Sequence, residues 1–284
     1  MVDLHVHSVF SDGTLTPAEL IALARENGVT AVALCDHNTV AGLPSFLAAA
    51  EGSGVQAVPG VEFSTEYRGK ELHILGLFIQ AEDYTAVTAL LDAMLERKER
   101  SSVALCEALN GAGFSLDYAA IKAGTPDGYV NRAVIAAEMV RGGACASVAE
   151  AFSQWLSPKR GYYCPPERLD ALEVIRFIKS IGAVAVLAHP FLALEEGELR
   201  TFLQEAVPAG LDGMETMYPL FDDCATQLAG EIADEFHLLH SGGSDFHGTN
   251  KPDIRLGTGR GNLHIPEQIL TDLEHRWKNT SEKR

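Results

Sequence analysis

His5 and His7 are separated by one residue in a short strand-like stretch, Val2–Val6. Period-two geometry points both rings to the same side. Two imidazoles on one face suit a divalent metal, although an HxH pair by itself is commonplace. Asp12 follows in Ser11-Asp12-Gly13, where a turn aspartate is the ordinary reading. Asp36-His37 comes straight after a second apolar stretch, Glu62 comes late in a third after Pro59-Gly60-Val61, and His73 lies in a fourth. His189 follows the apolar residues 183–188, and Asp245-Phe246-His247 follows residues 237–241 through Gly242-Gly243-Ser244. The same arrangement recurs at each strand: apolar residues, then His, Asp or Glu at or just past the C-terminal end. In a barrel of parallel strands those ends converge on one face, so the pattern predicts a polynuclear metal site. Hard oxygen donors mixed with imidazole, without thiolate, fit zinc, manganese or iron better than a structural zinc site.

The elements needed to hold these residues are legible around them. Thr16-Pro17-Ala18-Glu19 reads as a helix start, with Thr16 as N-cap, Pro17 in the first turn and Glu19 closing a capping box; Gly28 ends that helix. Strands are expected at 31–35, 55–63 and 71–78, the last preceded by a hairpin turn at Tyr67-Arg68-Gly69-Lys70, and a helix at 42–52. From 83 to 156 the pattern is almost entirely helical, with breaks at 111–113, 124–128 and 142–143. Alternation then returns, with helices at 169–181, 195–206 and 222–236, strands at 183–188, 211–215 and 237–241, and a last helix from Pro266. Strands alternating with helices at this spacing predict βα units around a mainly parallel sheet. The expected division is a barrel domain of residues 1–80 and 165–284 with a helical insertion at 81–164.

The bulk composition restricts the class of protein. The 284 residues are 46% hydrophobic and 21% charged, enough for a sizeable core and unlike a disordered or fibrous chain. No apolar run approaches the roughly 20 residues needed to span a bilayer, and the N-terminus shows no basic and apolar leader pattern. The five cysteines (35, 106, 145, 164 and 224) are scattered without CxxC and read as reduced thiols of a cytoplasmic protein. The net charge of -17 argues against a membrane binder or a long nucleic-acid track. A small phosphorylated substrate remains open, because bound cations can invert the local sign.

Taken as a set, HxHSxxSDG at residues 5–13, LCDHNT at 34–39, GVE at 60–62, HILG at 73–76, AHP at 188–190 and SDFHG at 244–248 resemble the polymerase and histidinol phosphatase (PHP) superfamily of metal-dependent phosphoesterases. The motifs follow the family's order. Their spacing is similar to the stand-alone branch acting on nucleotides and short RNA ends. The resemblance implies a distorted (β/α)7 TIM-like barrel in the α/β class, carrying three divalent metal ions (Mn, Fe or Zn) at its C-terminal face. It places His5, His7, Glu62 and Asp245 on the first metal. Glu62 bridges to a second that also takes His73 and His189, and Asp12, His37 and His247 hold the third. Asn38 stands where many relatives have Asp, at a position outside this ligand set.

Three divalent ions against Asp12, Glu62 and Asp245 leave the site at about +3, which favours a phosphate ester as guest. The expected reaction is attack on phosphorus by a metal-bridging hydroxide, with Asp36 and His189 nearest the chemistry and Asp36 also suited to orienting a ligand. Candidate phosphate clamps are Arg132, which matches an arginine of the nucleotide-acting branch, then Lys159, Arg160, Lys251 and Arg255, each of which otherwise reads as a solvated charge. Tyr129, Tyr162, Tyr163 and Tyr218 could stack a base or simply pack the insertion. Competing readings are a histidinol-phosphate-type phosphatase, a non-catalytic metal- or nucleotide-binding module, and a metal-dependent amide hydrolase.

Overall fold

The computed structural model describes residues 1–125, 130–166 and 168–281. The chain forms two compact units, one of residues 1–88 with 169–284 and one of residues 89–168.

The first unit is a nearly closed sheet ringed by helices. In chain order it contains β1 (Val2–Val6), α1 (Pro17–Glu26), β2 (Ala31–Leu34), α2 (Leu43–Ala50), β3 (Gln56–Tyr67) and β4 (Lys70–Leu77). The long α3 (Tyr84–Gly111) begins in this unit, and the helices α4 (Tyr118–Gly124), α5 (Arg132–Arg141) and α6 (Val148–Ala151) belong to the second. The first unit resumes with β5 (Leu169–Asp170), α7 (Ala171–Ser180), β6 (Val184–Leu187), α8 (Glu196–Ala209), β7 (Gly213–Met217), α9 (Asp223–Glu235), β8 (Leu239–Gly242) and α10 (Glu267–Ser281). The strand order is β1-β2-β3-β4-β6-β7-β8, with β5 paired to β3 at Thr65 and Glu66.

Thr16 caps α1 as expected: its hydroxyl accepts from the Glu19 N–H, and Glu19 accepts from the Thr16 N–H. The barrel closes where β1 meets the segment after β8. The Asp245 N–H donates to His5 O at 2.8 Å, the His7 N–H to Phe246 O at 2.9 Å and the Val2 N–H to Ile265 O at 3.0 Å. Buried Asp3 fastens the same seam, accepting from the Ser244 N–H and hydroxyl and from the Gly257 N–H. Val2 and Leu4 of β1, Ala31 and Ala33 of β2, Leu75 and Leu77 of β4 and Val184 and Val186 of β6 pack into one core with Ile269, Leu270 and Leu273 of α10.

Two details depart from the expected pattern. The strand carrying His73 pairs antiparallel with both neighbours. A two-residue turn at Arg68-Gly69, both with positive φ (50° and 81°), can only return the chain antiparallel. His73 therefore lies near the start of β4, because an antiparallel strand begins where its parallel neighbours finish. The helix expected at 169–181 spans Ala171–Ser180, since Leu169 and Asp170 pair with β3 and Asp170 caps α7 through the Leu172 and Glu173 N–H groups.

The second unit has its own apolar core, built from Leu105, Leu109, Leu116, Ile121, Ile135 and Met139 among others. Asp117, Asn131 and Ser147 cap α4, α5 and α6 with side-chain oxygens. Among the described residues no helix is long and apolar enough to cross a membrane.

Candidate metal centre

β1 delivers His5 and His7, whose Nε2 atoms lie 3.1 Å apart, so the period-two expectation holds. The pairing of β1 with β2 shifts between Asp3 and Val6, a bulge at the point where the two rings leave the strand. β3 delivers Glu62 to the centre of the cluster. Its Oε2 lies 3.2 Å from His5 Nε2, 3.2 Å from His7 Nε2 and 3.1 Å from His37 Nδ1. Its Oε1 lies 2.8 Å from His73 Nδ1 and 3.1 Å from His189 Nε2.

Asp245 and Asp12 complete the cluster. Asp245 Oδ1 is 3.3 Å from His7 Nε2 and 3.4 Å from His247 Nδ1. Asp12 Oδ2 is 3.2 Å from His247 Nε2 and 3.8 Å from His37 Nε2. His5, His7 and Glu62 are wholly buried, whereas the Asp12 side chain is 52% exposed, so the cluster opens to solvent on the Asp12 side. Two of its residues have positive φ, His189 at 27° and Asp245 at 53°, conformations that L-residues hold only when their surroundings impose them.

The motif glycines have steric reasons. A Cβ on Gly243 would stand 2.3 Å from His5 Cβ and 2.5 Å from His5 N, and one on Gly13 would stand 2.4 Å from His7 O. Both loops lie against the backbone of β1 because no side chain intervenes.

Electrostatically the cluster is a lattice of carboxylates and imidazoles. Burial alone would raise Glu62, but His5, His189 and His7 outweigh it and hold the carboxyl well below its usual range. Asp245 is likewise depressed against its burial, by His7 and His5. Burial opposes a charge on His73, yet Glu62 and Glu71 overcome it and lift the imidazolium to about 9. Burial drives His37 the other way, down to about 4, with His7 and His73 adding repulsion.

The donor set fits divalent metal ions. Among the described residues, four overlapping groups have ligand atoms within 4.8 Å of one another: His7, Asp12, His37 and His247; His5, His7 and Asp245; His5, Glu62 and His189; His37, Glu62 and His73. Glu62 Oε2, His37 Nδ1 and His73 Nδ1 are buried without a hydrogen bond. His37 Nδ1 lies 3.1 Å from Glu62 Oε2 and His73 Nδ1 2.8 Å from Glu62 Oε1 without hydrogen-bond alignment, which leaves these atoms facing a shared space. The nearby Cys35 thiol is pushed up by burial and offers no thiolate.

All nine expected donors thus fall in one cluster. The other expected site residues fare differently. Asp36 is buried but spends its oxygens on the Ser8 N–H and hydroxyl and the Ser11 hydroxyl, at 2.6–2.7 Å. These bonds hold the 8–11 loop. Lys251 reaches the cluster, but its Nζ lies 2.6 Å from Asp245 Oδ2 as an ion pair. Arg255 is exposed on a turn whose backbone pairs with Gly259, and its side chain makes no hydrogen bond or ion pair with the cluster. Tyr218 is buried, and its hydroxyl donates to Asp245 Oδ2 at 2.8 Å, so its stacking role gives way to support of Asp245.

Arg132, Lys159 and Arg160 lie in the helical unit. Arg132 donates to Leu156 O and covers the Tyr163 ring, Arg160 donates to Ser153 O, and Lys159 is exposed. Tyr162 packs against Trp155. Tyr129 lies outside the described residues.

Glu215 was not among the expected residues. It is wholly buried, its Oε1 lies 2.9 Å from His5 Nδ1, and its Oε2 accepts from the His189 N–H at 2.6 Å. The available signal was the strand rule itself, since the stretch 211–215 ends in this glutamate.

Residues 3–160 match the PHP domain family. Over 251 residues the chain is 35% identical to a 5′-3′ exoribonuclease of Haemophilus influenzae, across 86% of this chain and 89% of that one. It is 29% identical over 281 residues to a 3′,5′-nucleoside bisphosphate phosphatase of Chromobacterium violaceum, across 97% of each. A solved structure from Bifidobacterium adolescentis, described as a metal-dependent phosphoesterase, superposes with a TM-score of 0.69 at 27% identity, over 96% of this chain and 95% of that one.

Proposed function

Because the chain belongs to the PHP domain family, we propose that it is a metal-dependent phosphoric ester hydrolase acting on small nucleotides, such as 3′,5′-nucleotide bisphosphates, or on short RNA 5′ ends. One observation carries the reading: a buried carboxylate, Glu62, is shared by five imidazoles, with Asp245 against the same Nε2 of His7 and Asp12 against Nε2 of His37 and His247. The exoribonuclease and bisphosphate phosphatase relatives support the nucleotide class.

In this reading three ions are held, by His5, His7, Glu62 and Asp245; by Glu62, His73 and His189; and by Asp12, His37 and His247. Manganese, iron or zinc would supply Lewis-acid stabilisation of the phosphoryl group and an activated water. The chain's own residues arrange the rest. Asp36 fixes the loop that carries Asp12, and Tyr218 and Lys251 hold Asp245 by the oxygen turned away from His7. The ring of His189 serves ligation. A cleft of about 200 Å³ lined by Leu72, His73, His189 and Leu192 offers room beside the cluster for a small part of the substrate. Arg132, Lys159 and Arg160 are proposed contributors to substrate affinity through their charge in an otherwise acidic chain.

The test is phosphate or mononucleotide release by manganese-loaded protein from 5′-AMP, 3′,5′-adenosine bisphosphate, a 5′-phosphorylated RNA oligomer, histidinol phosphate and p-nitrophenyl phosphate, with a chelator control and the Asp245→Ala variant. Chelator-sensitive release from the nucleotides or RNA, abolished by Asp245→Ala, is expected. Release from histidinol phosphate alone would transfer the protein to the metabolite-phosphatase reading. Metal binding without turnover of any substrate would leave a binding module.

A further inference from the structure

Glu215 belongs to none of the four donor groups, yet both its oxygens touch residues that do. We propose that Glu215 is a positioning residue that sets the metal-binding tautomer of His5 and the backbone of His189 together. The proposal rests on the reading of those two histidines as ligands.

The argument is one of donors and acceptors. The His189 backbone N–H can only donate, and Glu215 Oε2 receives it at 2.6 Å. With Oε2 accepting from main chain, Oε1 stands 2.9 Å from His5 Nδ1, where it would accept a proton carried on Nδ1. The Nε2 lone pair of His5 is then directed to the side where Glu62 Oε2 and Asp245 Oδ1 lie, 3.2 and 3.8 Å away. The other contact acts on main chain: His189 has φ 27° and ψ 57°, a left-handed conformation, and the Glu215 bond pins its N–H.

The sheet is deformed where both partners sit. The ladder shifts between Asp3 and Val6 in β1, around His5, and between Glu215 and Met217 in β7. Bulges of this kind re-aim side chains next to active sites. Carboxylate support of a metal-bound imidazole is a general device. Here one carboxylate serves ligands of two proposed metals, one through a ring and one through the backbone.

Glu215→Gln separates this role from packing. The amide has the same shape, but its oxygen must face the His189 N–H, which turns its NH2 group toward His5 Nδ1. His5 must then accept at Nδ1 and carry its proton on Nε2, within the donor cluster. Zinc affinity, measured by competition with a chelating dye, is expected to fall about 10–100-fold. In zinc-loaded wild-type protein, long-range 1H–15N spectra are expected to show His5 protonated at Nδ1, a signal that Glu215→Gln loses. Wild-type zinc affinity in Glu215→Gln would overturn the proposal, as would a wild-type His5 without a proton on Nδ1; the second result decides even if the variant does not fold. His5→Ala distinguishes the two readings. If it leaves zinc affinity unchanged, the ligand assignment fails; if it weakens binding while Glu215→Gln does not, only the role of Glu215 fails.

Discussion

Glu62 faces five imidazoles with two oxygens, and no arrangement of protons lets every contact be a good hydrogen bond. In the metal-free chain the conflict is partly relieved by charging His73, lifted to about 9 by Glu62 and Glu71 against its burial. A metal can take its Nδ1 only after the proton leaves. Zinc loading at pH 7 is therefore expected to release protons, and the apparent affinity to rise with pH, about tenfold per unit for each proton displaced. Calorimetric titrations in buffers of different protonation enthalpy check this, and a heat independent of the buffer would refute it. Most donor residues were legible in the sequence because they interrupt or follow an apolar stretch with a metal-competent side chain, whereas Asp12, in a Ser-Asp-Gly turn, was marked only by the resemblance. Their supporting partners were less so. Nothing local marks Tyr218 as a donor to Asp245, or Asp36 as the acceptor for Ser8 and Ser11, because such roles depend on what the fold brings opposite.

The elements explain how far pattern reading reached. Caps and turns are local chemistry, so Thr16 with Glu19 and the Arg68-Gly69 turn could be read directly. The bulges in β1 and β7 could not, since a register exists only with respect to the partner strand. The rule that ligands end strands also missed the reversed direction of β4, although the hairpin that causes it was visible. Loop approach is set by glycine, and this supports a prediction at the same scale. Gly243→Ala places a methyl 2.3 Å from His5 Cβ, and is expected to cost about 1–3 kcal/mol of stability together with zinc affinity. Gly197→Ala, in open space on α8, serves as the comparison and is expected to be neutral or slightly stabilising. Denaturant midpoints of the two variants decide the matter; equal midpoints would show that the 243–248 loop yields easily.

Across the whole molecule, the residues of one cluster come from β1 and the loop after it, from the segment after β2, from β3 and β4, and from the segments after β6 and β8. Metal bound there would tie the barrel's beginning to its end and favour the folded chain, the state that assembles the full donor set. Loading at about 100 times the dissociation constant should add about 2.7 kcal/mol, or roughly 5–10 °C in melting temperature. Thermal unfolding with and without chelator measures it, and coincident curves would remove the metal from the stability of the fold. The seam between β1 and the segment after β8 has a temporal consequence. During synthesis β1 is made long before its partners at Ser244, Phe246, Gly257 and Ile265. Until those partners appear, the His5–His7 pair sits on a nascent strand with one edge unpaired and its two imidazoles exposed. The donor set is complete only once Asp245 and His247 have joined the first two histidines.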